Sequence, residues 1–130
     1  MRPALTARAL PAALAALLLA PPAPPAAAAE AKVVGAEARP KGGGTWRFSA
    51  TIAHPDTGWD HYADAWRVES PEGETLGVRE LLHPHVDEQP FTRSLGGVVV
   101  PEGTETVRLR ARDSLDGWAE TAFDLALPAD

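Results

Sequence analysis

Hydrophobic and polar residues alternate along most of this chain, and no window of useful length keeps the spacing of a helical apolar stripe. In TWRFSATIAH, Trp46, Phe48, Ala50 and Ile52 fall on one face, and Arg47, Ser49 and Thr51 on the other. YADAWRVES sets Tyr62, Trp66 and Val68 against Arg67 and Glu69. TVRLRARD sets Val107, Leu109 and Ala111 against Arg108, Arg110 and Arg112, and AETAFDLAL aligns Thr121, Phe123, Leu125 and Leu127. Successive side chains on a strand point to opposite faces, so each run predicts a strand with one buried side. AKVVGAEAR, ETLGVRELL and FTRSLGGVVV carry the same pattern more weakly. About seven short strands separated by turn signals predict an all-β fold, an antiparallel sandwich.

The connections between these runs are of two kinds. KGGG (41–44), SPEGE (70–74) and VPEGT (100–104) are tight turns; in the last two, proline presets φ and glycine accepts a positive φ. HPDTGWDH (54–61), HPHVDEQP (83–90) and DSLDGW (113–118) instead carry histidines, aspartates, Trp59 and Trp118. The two kinds alternate. If every strand runs opposite to the one before, the plain turns share one end of the sandwich and the His/Asp/Trp loops share the other. Loops at one end of a rigid sandwich are where such folds keep binding residues.

The first 29 residues do not fit this pattern. Arg2 and Arg8 precede the apolar run ALPAALAALLLA, and PPAPPAAAA ends in small residues. That order predicts a secretory signal peptide, 1–29, cut after Ala29 and removed. The apolar run is shorter than the roughly 20 residues that span a bilayer. The expectation is one domain, 30–130, soluble and exported to the periplasm or secreted. With no cysteine, neither a disulfide nor a thioether-linked lipid is expected. Without Arg2 and Arg8, ten of the twelve basic residues remain against eighteen acids, a net charge of about −8. An acidic surface repels nucleic acid and anionic lipid, so the expected partners include neither nucleic acid nor an inserted membrane.

VPEGTETVRLRARDS resembles the late strands of fibronectin type III and other immunoglobulin-like domains, which pair a Pro-x-Gly turn with an alternating strand. Trp66, inward on the third strand, resembles the core tryptophan of immunoglobulin domains, without the cysteine pair found there. The whole is similar to small exported bacterial proteins of unknown function that carry such a domain. The resemblance implies an immunoglobulin/fibronectin III-like sandwich and no particular activity.

The candidate chemistry lies in the His/Asp/Trp loops. His54, His61, His83 and His85 are the chain's four histidines, and Asp56, Asp60 and Asp87 lie among them. Imidazole with nearby carboxylates is a donor set for a divalent transition metal. In His83-Pro84-His85, residues two apart in an extended segment point the same way, so both rings can face one ion. Beyond the initiator methionine there is neither methionine nor cysteine. Cu(I), blue-copper and iron–sulfur chemistry therefore lack soft ligands, leaving Zn²⁺, Cu²⁺ or Ni²⁺, with Zn²⁺ or Cu²⁺ preferred.

Two other readings stand beside this one. The same histidines and aspartates can brace the loops through mutual hydrogen bonds, His54 closing the end of the core. Alternatively, Trp59 and Trp118, with Asp116, can stack a sugar or anchor a protein partner, or else fold back over the open end of the sandwich. Asp64 shares the parity of Tyr62 and Trp66 and predicts a partner such as His61 or Arg93. Arg108, Arg110 and Arg112 form an outward stripe facing Glu120 and Asp124 across the last hairpin. Neither Ser94 nor Ser114 lies in a nucleophile elbow, and no glycine-rich phosphate cradle precedes a helix, so a non-enzymatic binding module is expected.

Overall fold

The computed structural model describes residues 3–4 and 30–129; the expected signal peptide, apart from Pro3 and Ala4, lies outside the described residues. Eight strands follow in chain order: β1 (Lys32–Gly42), β2 (Thr45–Ala53), β3 (Ala63–Glu69), β4 (Thr75–Glu80), β5 (Phe91–Val99), β6 (Thr106–Asp113), β7 (Gly117–Trp118) and β8 (Phe123–Ala126). They form two antiparallel sheets, one ordered β1-β2-β5, the other β4-β3-β6 with β7 and β8 both on the far edge of β6. This is the sandwich that the alternation predicts. The one departure in strand number is AETAFDLAL, whose strand begins only at Phe123, while Gly117–Trp118 forms a short strand of its own.

The core is where the alternating stripes meet. Trp46, Phe48, Ala50 and Ile52 from β2 face Trp66 and Val68 from β3 and Val107, Leu109 and Ala111 from β6, all buried. Each fully buried large apolar side chain contributes about 1.5–3 kcal/mol, which is how a chain without disulfides holds together. Trp66 is fully buried, at the position expected for a core tryptophan. On β4 the lack of a side chain at Gly77 admits the neighbouring strand. A Cβ there would stand 3.1 Å from both Leu95 Cδ2 and Val98 Cγ2.

A register irregularity between Ala63 and Ala65 breaks the parity of β3, so that Ala65 and Trp66 are both buried. Asp64 therefore turns to the outer face and accepts from Arg112 Nε at 2.7 Å, rather than from His61 or Arg93. That bond raises the Arg112 pKa. The arginine stripe is also partnered differently from expectation. Arg108 does meet Asp124, at 3.4 Å, but Arg110 turns across β3 to Glu69, and Arg112 reaches Glu80 as well as Asp64. Arg110 also donates to the carbonyls of Ala119 and Glu120, not to the Glu120 carboxylate. Burial works to raise the Glu69 pKa, but hydrogen bonds from Arg110 and Arg67 outweigh it and hold the group below its ordinary range.

Candidate metal centre at the loop pole

Hydrogen bonds tie the three rich loops together at one end of the sandwich. The main knot is the buried carboxylate of Asp56. Its Oδ1 accepts from His54 Nδ1 at 2.5 Å and from the amide of Ala63 at 2.9 Å, and its Oδ2 accepts from the amide of His85 at 2.8 Å. Gln89 adds a second link, accepting from the amide of His54 and donating to the carbonyl of His85. The third loop joins through His61, whose Nε2 lies 3.1 Å from Asp113 Oδ1.

His54 and Asp113 continue the core stripes one step beyond the core. His54 follows Ile52 on β2, in one sheet, and Asp113 follows Ala111 on β6, in the other. The two sheets face each other, so these polar extensions meet above the apolar layer. His61 comes in from the side, its loop closed by the bridge between Gly58 and His61. Donor atoms of His54, His61 and Asp113 lie within 4.8 Å of one another, and no other three such side chains gather so closely among the described residues. The His54 and His61 rings meet edge to face with centroids 4.7 Å apart.

The hydrogen bonds of this trio leave two buried atoms without a partner. With His54 Nδ1 donating to Asp56, the Nδ1–H tautomer leaves Nε2 without a hydrogen. That Nε2 is buried and has no partner. Asp113 Oδ1 is crowded by His61 and by the amides of Leu115 and Asp116, while its Oδ2 is buried and unpartnered. Burial works to raise the Asp113 pKa, but the Asp116 and Leu115 amides, and then His61, outweigh it and hold the carboxylate below its ordinary range. A carboxylate behind an imidazole, fixing its tautomer, is the arrangement that supports a metal-binding histidine. A tetrahedral ion with bonds of about 2 Å draws its donors in to about 3.4 Å, an adjustment of up to about 1.4 Å here. Asp116, at the mouth, brings Oδ2 to 3.6 Å from His61 Nε2 and is the nearest further carboxylate.

The other predicted residues are placed differently. His83 and His85 do lie side by side, centroids 4.5 Å apart, as residues two apart should. Their nitrogens point to other partners. His85 stacks on Phe91 at 3.8 Å, and its Nε2 accepts from Arg93 Nη2 at 2.8 Å. Burial, then Arg93, lowers the His85 pKa, so the ring stays neutral. His83 Nδ1 donates to the carbonyl of Pro84. Asp60 and Asp87 are exposed. Trp59 stands at the tip of its turn, 68% exposed, touching Tyr62 edge to face. Trp118 is half-buried on the outer face of its sheet, stacked against Arg67 at 4.0 Å and Arg112 at 5.1 Å. Gly117, at φ 79°, makes the reversal that lays it there. Ser94 Oγ pairs with Ser49 Oγ, and Ser114 Oγ accepts from the Tyr62 amide.

Asp113 is the member of this cluster that the loop composition did not single out. Its signal was parity: an acid at the inward position of a strand end, where an apolar residue would continue the stripe. A concavity of about 870 Å³ lies at the opposite pole, between the Gly43–Gly44 and Pro101–Glu105 turns, and no histidine lines it. Among the described residues no helix is long and apolar enough to cross a membrane.

No family model matches this chain, and no solved structure matches it. It is 46% identical over 94 residues to a protein of Halomicrobium mukohataei named "Putative lipoprotein". The match covers 72% of this chain and 46% of that protein, so the chain spans less than half of its relative's length.

Proposed function

We propose that this chain is an exported, non-enzymatic binding module, a fibronectin III-like sandwich whose loop pole takes up a divalent transition metal, Zn²⁺ or Cu²⁺. The observation that carries the reading is the buried, unpartnered Nε2 of His54, a ring backed by Asp56 and clustered with His61 and with Asp113, whose Oδ2 is likewise buried and unpartnered. An unused lone pair and a bare carboxylate oxygen in a buried setting are costly, and one cation would answer both. The ligands are His54, His61 and Asp113, with Asp116 positioned to add a fourth. Asp56 orients His54 rather than binding the ion. His83 and His85 stand outside this set, because an ion at His85 Nε2 would displace the Arg93 guanidinium.

Support for export comes from the leader-like first 29 residues and from the relative, which is named "Putative lipoprotein". A lipid carried on a cysteine thiol has no attachment point within these 130 residues. The fibronectin III-like description rests on the three-stranded and five-stranded sheets, the VPEGT turn leading into β6, and the buried Trp66.

Calorimetric titration of metal-free protein with ZnSO₄ tests the reading. One ion per chain is expected, with a rise in melting temperature as metal stabilises the folded state. His54→Ala and His61→Ala each weaken binding at least a hundredfold, while His83→Ala leaves it within about twofold. Heat equal to the buffer blank and an unmoved melting temperature would rule the metal out. The loops would then be braced by their own hydrogen bonds, and the exposed Trp59 would become the feature to pursue as a protein- or sugar-binding tip.

A further inference from the structure

The outer face of the three-stranded sheet carries a second feature, unconnected with the histidines. Arg39 on β1 stands directly opposite Arg47 on β2, with Lys41 farther along β1. All three are exposed, and no carboxylate among the described residues comes within ion-pair distance of them. Like charges directly opposite on neighbouring strands destabilise a sheet. Here they persist in a chain with acids to spare, which elsewhere pairs Arg67, Arg108, Arg110 and Arg112 with carboxylates. Glu37, the single acid beside them, is bonded to none of the three. Between these side chains lies a cleft of about 180 Å³, lined by Glu37, Arg39, Lys41, Arg47 and Ser49.

The cleft opens onto a row of hydroxyls. Ser49 pairs with Ser94 and Thr51 with Thr92, each at 2.8 Å, across β2 and β5. Each hydroxyl keeps donor or acceptor capacity toward solvent. The cations are spaced about 5 Å across the strands and about 7 Å along them, so they suit several anionic groups on one chain rather than a single ion. Arginine forks match carboxylate and sulfate geometry. Exposed Val34 and Val99 lie toward the two ends of this face, but none of its described residues is aromatic, so nothing there stacks a base.

We propose that this face binds an anionic polysaccharide, Arg39, Lys41 and Arg47 holding its carboxylate or sulfate groups and the Ser/Thr row meeting its hydroxyls. Metal-free protein is passed over surfaces bearing polygalacturonate, dextran sulfate, neutral dextran or duplex DNA at low salt. Binding to one or both anionic polysaccharides is expected, weakening with salt, and the stronger of the two identifies carboxylate or sulfate as the group read. Arg47→Gln weakens it about tenfold, the loss of one charged hydrogen-bonding group, and Arg39→Gln/Arg47→Gln weakens it further. Arg108→Gln, with the same change in net charge on the other sheet, shifts it less than about twofold. Unchanged melting temperatures in the variants tie the losses to the surface. The proposal is overturned if neither anionic polysaccharide binds, if neutral dextran or DNA binds as well, or if Arg108→Gln loses as much as Arg47→Gln.

Discussion

The two histidine pairs at the loop pole have the same residues and opposite chemistry. His54 and His61 approach with carboxylates around them: Asp56 behind one, Asp113 beside the other, Asp116 at the mouth. His83 and His85 approach just as closely, yet a guanidinium occupies the nitrogen that would bind an ion. The carboxylates around the first pair favour a cation and the guanidinium at the second opposes one, so ring-to-ring distance alone does not define a candidate metal site. What decides it is which partner holds the far nitrogen. An acceptor there leaves the near nitrogen bare, whereas a donor consumes the lone pair.

Asp56 is the point at which the two pairs join, and its removal gives the largest expected effect. The carboxylate satisfies a histidine Nδ1–H and two buried amides drawn from two loops. Asp56→Ala leaves three donors unsatisfied, and a single unmet buried donor costs about 1–3 kcal/mol. Because the three are coupled, we expect a loss of about 3–5 kcal/mol in urea unfolding rather than their sum. Asp56→Asn keeps the shape and one acceptor oxygen, which can take at most two of the three hydrogen bonds, and recovers part of it. A loss below about 1 kcal/mol for Asp56→Ala would mean that the two loops are held independently.

Much of this arrangement could be read from parity alone. The inward stripes Trp46–Phe48–Ala50–Ile52 and Val107–Leu109–Ala111 specify the two faces of the core. The alternation of plain and rich connections places every histidine at one pole. Parity also held the clue to the site, since His54 and Asp113 are simply the next inward positions. Two things were hidden. The irregularity at Ala63–Ala65 follows from how β3 pairs with β6, and it moved Asp64 outward to Arg112. The fate of His85 depended on Arg93, which lies inward on β5 beside Phe91, and no local spacing announces that a cation from another segment will cap an imidazole.

That cap makes a prediction of intermediate size. Arg93→Met removes a charged donor to His85 and is expected to cost about 1–2 kcal/mol at neutral pH. It also alters the pH dependence. Burial, then Arg93, holds the folded His85 below its ordinary value of 6.5. As pH falls through that value the unfolded chain takes up a proton that the native protein refuses. This contribution to stability is therefore complete above about pH 6.5 and is lost as pH falls toward the lowered folded value. Urea midpoints measured from pH 7.5 downward should decline, and should decline less steeply in Arg93→Met. An identical decline in both proteins would assign the pH dependence to other groups.

The smallest effect is expected at Trp59, and its smallness is the point. The side chain is 68% exposed and packs edge to face with Tyr62, so Trp59→Ala should change unfolding free energy by no more than about 0.5 kcal/mol. Trp59 nevertheless sits two residues before His61, inside the turn closed by the Gly58–His61 bridge. An ion that fixes His61 also fixes that turn. Zn²⁺ should therefore shift the fluorescence of wild-type protein in a component that Trp59→Ala lacks, while the zinc affinity of the variant stays within about twofold. A stability loss well above 1 kcal/mol would instead make Trp59 a cover for the end of the core. The two histidine pairs would then differ in packing as well as in charge.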